Sequence, residues 1–173
     1  VKNTIDILCV GEILIDFIGQ DFYGFETPQN YHPFLGGSPT NVAANATKLG
    51  LEVALVGALG NDGFGRFAQE RLQYNGLRHM AISKSGKPTS FILISKSVDT
   101  PEFIPVRGAD SDIGAEQLDA VLQLGPKIYH TTCFALSREP ARSVILEYAK
   151  KASSRGIALS IDLNYSEKIW PEK

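Results

Sequence analysis

What most constrains this chain is the repeated alternation of short apolar runs with segments of helical periodicity. Ile5 to Val10 is an apolar run closed by Gly11, the pattern of a central strand buried on both faces. Val53 to Val56 reads as a second core strand, and Phe64 to Tyr74 as a helix ending at Gly76. Further on come a helix near Glu116 to Leu124, a strand at Lys127 to Thr131, a helix from Pro140 to Ser154 and a strand at Ile157 to Asp162. The Pro140 helix turns Ile145, Tyr148, Ala149 and Ala152 to one side, with Glu147 and Lys151 as a surface pair. Such alternation predicts an α/β fold, a mostly parallel sheet with helices on both faces.

Two excursions interrupt it. From Ile13 to Tyr31 apolar residues alternate with polar and turn-forming ones, as in a half-exposed strand and a turn-rich return. His79 to Ser85, Thr89 to Lys96 and Glu102 to Arg107 form a second cluster of extended chain. The segments about 16–35 and 84–107 are thus expected to make a small β-sheet of their own.

Between the first excursion and the second strand lies Gly36-Gly37-Ser38-Pro39-Thr40-Asn41, a glycine pair running into a helix that Gly50 is placed to end. Without a Cβ, Gly36 and Gly37 let backbone approach a ligand closely; Ser38 is suited to cap the helix and Pro39 to its first turn. Val42, Ala46 and Leu49 are expected on one helix face, and Asn41, Asn45 and Lys48 on another. A tight connection is the plainer reading of such a turn; free amides aimed at an oxygen-rich ligand are the functional one.

Composition excludes several classes. The chain has 173 residues, 43% hydrophobic, with a formal net charge of -2, so no basic excess points to nucleic acid. Its apolar runs are too short to span a bilayer as a helix and its N-terminus shows no charged-then-apolar export pattern, so a cytoplasmic location is expected. Cys9 and Cys133 lack metal-ligand spacing and read as buried free thiols. His32, His79 and His130 have no partners at ligand or triad spacing, and neither a Walker A loop nor a dinucleotide fingerprint is present.

The run Gly36 to Ala43, then Lys48-Leu49-Gly50, then Val56-Gly57-Ala58-Leu59-Gly60-Asn61-Asp62-Gly63-Phe64-Gly65, resembles the N-terminal signature of the PfkB family of carbohydrate kinases, closest in pattern to fructokinases and 2-keto-3-deoxygluconate kinases. The likeness runs from Asp6 to Trp170. It implies a three-layer ribokinase-like fold, with the small sheet as a lid over the sugar and a homodimer contact, and with ATP and Mg2+ as cofactors. Residues 1–173 correspond to the N-terminal part of that fold. Family members continue into a half whose Gly-Ala-Gly-Asp stretch supplies the catalytic base and an anion hole, and no such stretch occurs here. The expectation is the sugar-binding half of an ATP-dependent sugar kinase, inactive by itself. A non-catalytic sugar-binding or interaction module, or a nucleoside kinase of the same family, are the alternatives.

Site residues follow from residue chemistry and the likeness together. Asp16 after the first strand is either a strand-end carboxylate or, as the resemblance implies, the group that takes two adjacent sugar hydroxyls. Asn41, a helix-surface amide by the plainer reading, would join it with Gly36 and Gly37. Arg107 resembles the arginine after the lid strand, although Val106 stands where a tyrosine is common. Asp162-Leu163-Asn164 resembles the family's Asp-Pro-Asn segment near the nucleotide phosphates, with Leu163 for proline and Ser166 for a common arginine; Lys168 offers a substitute cation. A turn pair is the plainer reading of Asp162 and Asn164.

Overall fold

The computed structural model describes residues 5–22, 24–27, 29–96 and 101–170. Five parallel strands build the main sheet: β1 (Ile7–Val10), β4 (Val53–Gly60), β5 (His79–Ser85), β8 (Ile128–Thr132) and β9 (Ala158–Asp162), in the order β5-β4-β1-β8-β9. Four helices cross between them: α1 (Ser38–Lys48), α2 (Gly63–Tyr74), α3 (Ala115–Leu122) and α4 (Ala141–Ser154). Alternate strand side chains feed two cores. Leu8, Val10, Ala54 and Val56 pack with Leu118, Val121, Ile145 and Tyr148 of α3 and α4. Cys9, Val53 and Leu55 pack with Ala43, Ala46, Ala68 and Leu72 of α1 and α2. The period of two along each strand therefore produces a three-layer arrangement.

The second sheet holds β2 (Leu14–Gly19), β3 (Tyr31–Gly36), β6 (Phe91–Ile94) and β7 (Phe103–Val106), in the order β3-β2-β6-β7. Its β2–β3 and β6–β7 pairs are antiparallel and its β2–β6 pair is parallel. This is the expected small sheet; positions 23, 28 and 97–100 of its segments lie outside the described residues. His79–Ser85, read in sequence as part of the extended cluster, instead pairs with β4 at the edge of the main sheet. The intervening α2 makes β4-α2-β5 a crossover unit, so the segment around 84 belongs to the small sheet only beyond Ser85.

Val42 and Ala46 face the core as expected, and Leu49 does not share that face of helix α1. Its buried residues are Pro39, Thr40, Ala43, Ala44 and Ala46, and Leu49 is 83% exposed. Small side chains are what let the helix lie close on β1 and β4. Gly37, not Ser38, is the cap residue, and it makes no side-chain cap bond. Gly50, at φ +87°, follows the helix end as expected. The Glu147–Lys151 pair forms on α4 at 2.7 Å, and both cysteines are free, Cys9 buried as expected but Cys133 only half-buried because it stands just past the end of β8. Among the described residues no helix is long and apolar enough to cross a membrane.

Candidate functional site

The carboxyl ends of the adjacent strands β1, β8 and β9 deliver Glu12, Thr132 and Asp162 to one edge of the main sheet, where α1 begins and the small sheet rises. A cleft of about 750 Å³ opens there. Ligands gather at this edge of parallel sheets because the loops diverge and helix N-termini converge. Its polar end is lined by Glu12, Asp16, Gly37, Ser38, Asn41, Thr132, Asp162 and Asn164, with Phe134 and Ile92 beside them.

Asp16 comes from β2, paired with Phe34 and Ile92 across its neighbours. No side chain or amide among the described residues hydrogen-bonds its carboxyl, and burial pushes its pKa up to about 6. A half-buried carboxyl with its acceptor sites open suits a ligand that brings hydroxyl donors. Gly36 lies behind it rather than in the cleft wall: a Cβ there would fall 2.3 Å from Asp16 Oδ2 and 2.8 Å from Leu14 Cδ1. Gly37 lines the cleft at φ +102°, where a Cβ would meet the Glu12 carbonyl oxygen at 2.3 Å. Only glycine fits this position. Asn41 sits in the first turn of α1 and lines the same cleft, its backbone N–H donating to the Gly37 carbonyl at 2.9 Å.

The loop amides are partly spent within the protein. The Ser38 N–H donates to Glu12 Oε1 at 3.0 Å, and the Thr132 hydroxyl donates to Glu12 Oε2 at 2.7 Å. Burial pushes the Glu12 carboxyl up to about 7, outweighing the hydrogen bonds that favour its ionised form; the Asp110 charge adds to the rise. The Ser38 hydroxyl donates to Asp162 Oδ2 at 2.6 Å, and the Asn164 N–H donates to Asp162 Oδ1 at 3.0 Å. These bonds, the Ser38 hydroxyl foremost, hold Asp162 below the usual carboxylate range. Asp162 and Asn164 therefore stand beside the glycine loop.

Arg107 does not line the cleft. Its side chain is 3% exposed and ion-paired with the fully buried Asp110; Nε donates to Asp110 Oδ2 at 2.9 Å and Nη1 to Ser137 Oγ at 2.6 Å. Its guanidinium lies 3.9 Å from the ring centroid of Phe134, so it backs a cleft residue from behind. The Lys168 ammonium reaches the Phe103 carbonyl and Glu102 at the small sheet rather than Asp162. His130 is buried within β8, with Nδ1 3.0 Å from Ser160 Oγ, as a structural histidine would be.

Of the residues read from sequence, Asp16, Gly37, Asn41, Asp162 and Asn164 meet in one cleft, with Gly36 immediately behind and Arg107 one layer further back. Glu12, Ser38, Thr132 and Phe134 were given no site role by sequence reasoning. The signal available for two of them was position: Glu12 and Thr132 each stand at the carboxyl end of a core strand.

Comparison with known proteins bears on the family and the fold. The sequence profile of the pfkB family carbohydrate kinases matches residues 4–173. An ATP-dependent 6-phosphofructokinase of Thermoanaerobacterium thermosaccharolyticum is 32% identical over 166 residues, 95% of this chain and 51% of that protein. Fructokinase-1 of Zea mays is 32% identical over 174 residues, covering 96% and 53%. Halothermothrix orenii fructokinase superposes with a TM-score of 0.89 at 32% identity, over 97% of this chain and 60% of that one. Xylella fastidiosa fructokinase with bound ATP does so at 0.85 and 29%, over 99% and 55%. The chain spans about half the length of the curated relatives it matches. The three-layer sheet, the small second sheet and the profile match agree that this chain belongs to the pfkB family of carbohydrate kinases.

Proposed function

We propose that residues 1–173 form the sugar-binding half of an ATP-dependent carbohydrate kinase of fructokinase type. The observation that carries this reading is the Asp16 carboxyl, half-buried in the cleft beside Gly37 and Asn41 and without a partner among the described residues. Ionised, it would accept two vicinal hydroxyls, while the Asn41 amide offers a donor and an acceptor to a third. The small sheet would act as a lid that keeps water from the transferred phosphoryl group. Its exposed Phe34, Ile104 and Val106 support a lid-to-lid homodimer.

Asp162 and Asn164 suit the ATP side of the cleft. Among the described residues no cluster of three His, Cys, Asp or Glu side chains could hold a metal unaided. Asp162 and Asn164 would offer oxygen ligands to an Mg2+ ion bound with the ATP phosphates. Bound there, it would neutralise charge that builds up on the phosphoryl oxygens. The chain's own contribution is to bind and orient the sugar; its 173 residues contain no Gly-Ala-Gly-Asp stretch, so transfer by this chain alone is not expected.

Amide NMR titrations of the chain with D-fructose, 2-keto-3-deoxygluconate and adenosine test the reading. Sugar-induced shifts confined to Gly36, Gly37 and Asn41 support it. Shifts there with adenosine and not with the sugars would replace it with a nucleoside-kinase reading, and sugar shifts elsewhere on the surface would remove the cleft from the account.

A further inference from the structure

Glu12 is 2% exposed, yet both of its carboxyl oxygens carry donors from distant parts of the chain. Oε1 holds the Ser38 N–H at the start of α1; Oε2 holds the Thr132 hydroxyl at the end of β8. Thr132 Oγ1 in turn accepts the Ala135 N–H at 3.1 Å, closing the turn that presents Phe134 to the cleft. The backbone of Glu12 grips the loop as well. Its carbonyl accepts the Thr40 hydroxyl at 3.0 Å and is the atom against which Gly37 is pressed.

Two residues of the first turn of α1 are thus tied to one residue of the β1 exit, and Asn41 follows directly after them. Burying a carboxyl is costly, and an apolar side chain would fill the space at less cost, so the gain must lie in what the two oxygens hold. With each oxygen engaged by the protein and almost no surface open, Glu12 is placed to act through Ser38 and Thr132 rather than on a ligand.

We propose that Glu12 is a positioning residue whose carboxyl locks the glycine loop to the β8 turn and so sets the spacing between Asp16, Asn41 and Phe134 in the cleft. The effect on sugar affinity rests on the sugar-site reading above; the locking itself does not. Glu12→Ala leaves the Ser38 N–H and the Thr132 hydroxyl without their acceptor. Glu12→Gln keeps the shape and retains one carbonyl oxygen for Ser38.

The test uses residue-resolved hydrogen exchange on the ligand-free chain and D-fructose affinity on the same three proteins. In Glu12→Ala, protection of the Ser38 amide should fall by about tenfold or more while Leu55 and Val56 in β4 keep theirs. Fructose should bind about tenfold more weakly, a change of about 1.4 kcal/mol. Glu12→Gln should recover most of both. Should the alanine variant fail to fold, the glutamine variant decides: Ser38 protection kept and fructose affinity within about threefold of the parent supports the role. Unchanged Ser38 protection in the alanine variant overturns the proposal, as does an equal loss of protection throughout the sheet in both variants. A parent chain that binds no fructose overturns the sugar reading instead, and Ser38 protection then decides whether Glu12 positions the loop.

Discussion

Replacing Asp16 by asparagine should stabilise the ligand-free protein at neutral and alkaline pH while weakening sugar binding. Burial raises the Asp16 pKa from 3.8 to about 6. Between those values the folded state keeps a proton that the unfolded state has released. The carboxyl's contribution to stability is therefore full below about 3.8 and is lost as pH rises through about 6. A shift of that size corresponds to about 3 kcal/mol undiscounted, and screening at this partly open site reduces it to roughly 1–2 kcal/mol. Asparagine never ionises, so Asp16→Asn should melt higher than the parent by about 2–8 °C at pH 8. Near pH 3.5 the two should coincide. On the proposed reading a bound sugar would supply the missing donors and pull the Asp16 titration down; losing those charge-assisted bonds should cost about 1.5–3 kcal/mol, or one to two decades of affinity. Thermal melts from pH 3.5 to 8, with carbon-13 titration of the carboxyl, read all of this. An Asp16 that titrates near 3.8, with parent and variant melting alike at every pH, would refute the reasoning.

Three other outcomes follow from particular contacts. Gly37→Ala forces a side chain into φ +102° and a Cβ to 2.3 Å from the Glu12 carbonyl, and should cost at least about 2 kcal/mol in urea unfolding; a loss below about 0.5 kcal/mol would show that the loop yields freely. Arg107→Ala strands the buried Asp110 carboxylate and should cost about 3–5 kcal/mol by the same assay; a near-neutral change with weakened sugar binding would return Arg107 to the list of ligand contacts. Strand β9 ends the sheet with its outer edge unpaired among the described residues and with Leu159, Ile161, Leu163 and Tyr165 exposed, so the 173-residue chain should associate with rising concentration. Light scattering that shows a monodisperse, dye-silent monomer across the concentration range would contradict it.

What the sequence made legible was what local pattern carries. Short apolar runs marked β1, β4, β8 and β9, and the glycine pair before Asn41 marked the turn whose Gly37 lines the cleft, because strand burial and left-handed backbone leave their signs within a few residues. β5 was harder: as an edge strand it is only partly buried, so its pattern resembles that of the lid strands, and only its pairing with β4 separates them. Leu49 shares the spacing of Val42 and Ala46 but lies past the end of α1, which rests on the sheet through its alanines. Arg107 and Glu12 show the limit most clearly. An arginine after a lid strand advertises a ligand contact, but Ser137, which holds its guanidinium, lies 30 residues away. Glu12 carries no local sign of a role because its partners, Ser38 and Thr132, are 26 and 120 residues distant.

Whether this cleft takes a sugar through Asp16 is read by calorimetric titration of D-fructose, D-ribose and 2-keto-3-deoxygluconate into the folded 173-residue chain at pH 8. Saturable, one-site binding of at least one of these sugars, weakened ten- to a hundredfold or about 1.4–2.7 kcal/mol in Asp16→Asn, is the predicted result. A cooperatively folded chain that takes up none of them, or that binds one equally well without the Asp16 carboxylate, would contradict it.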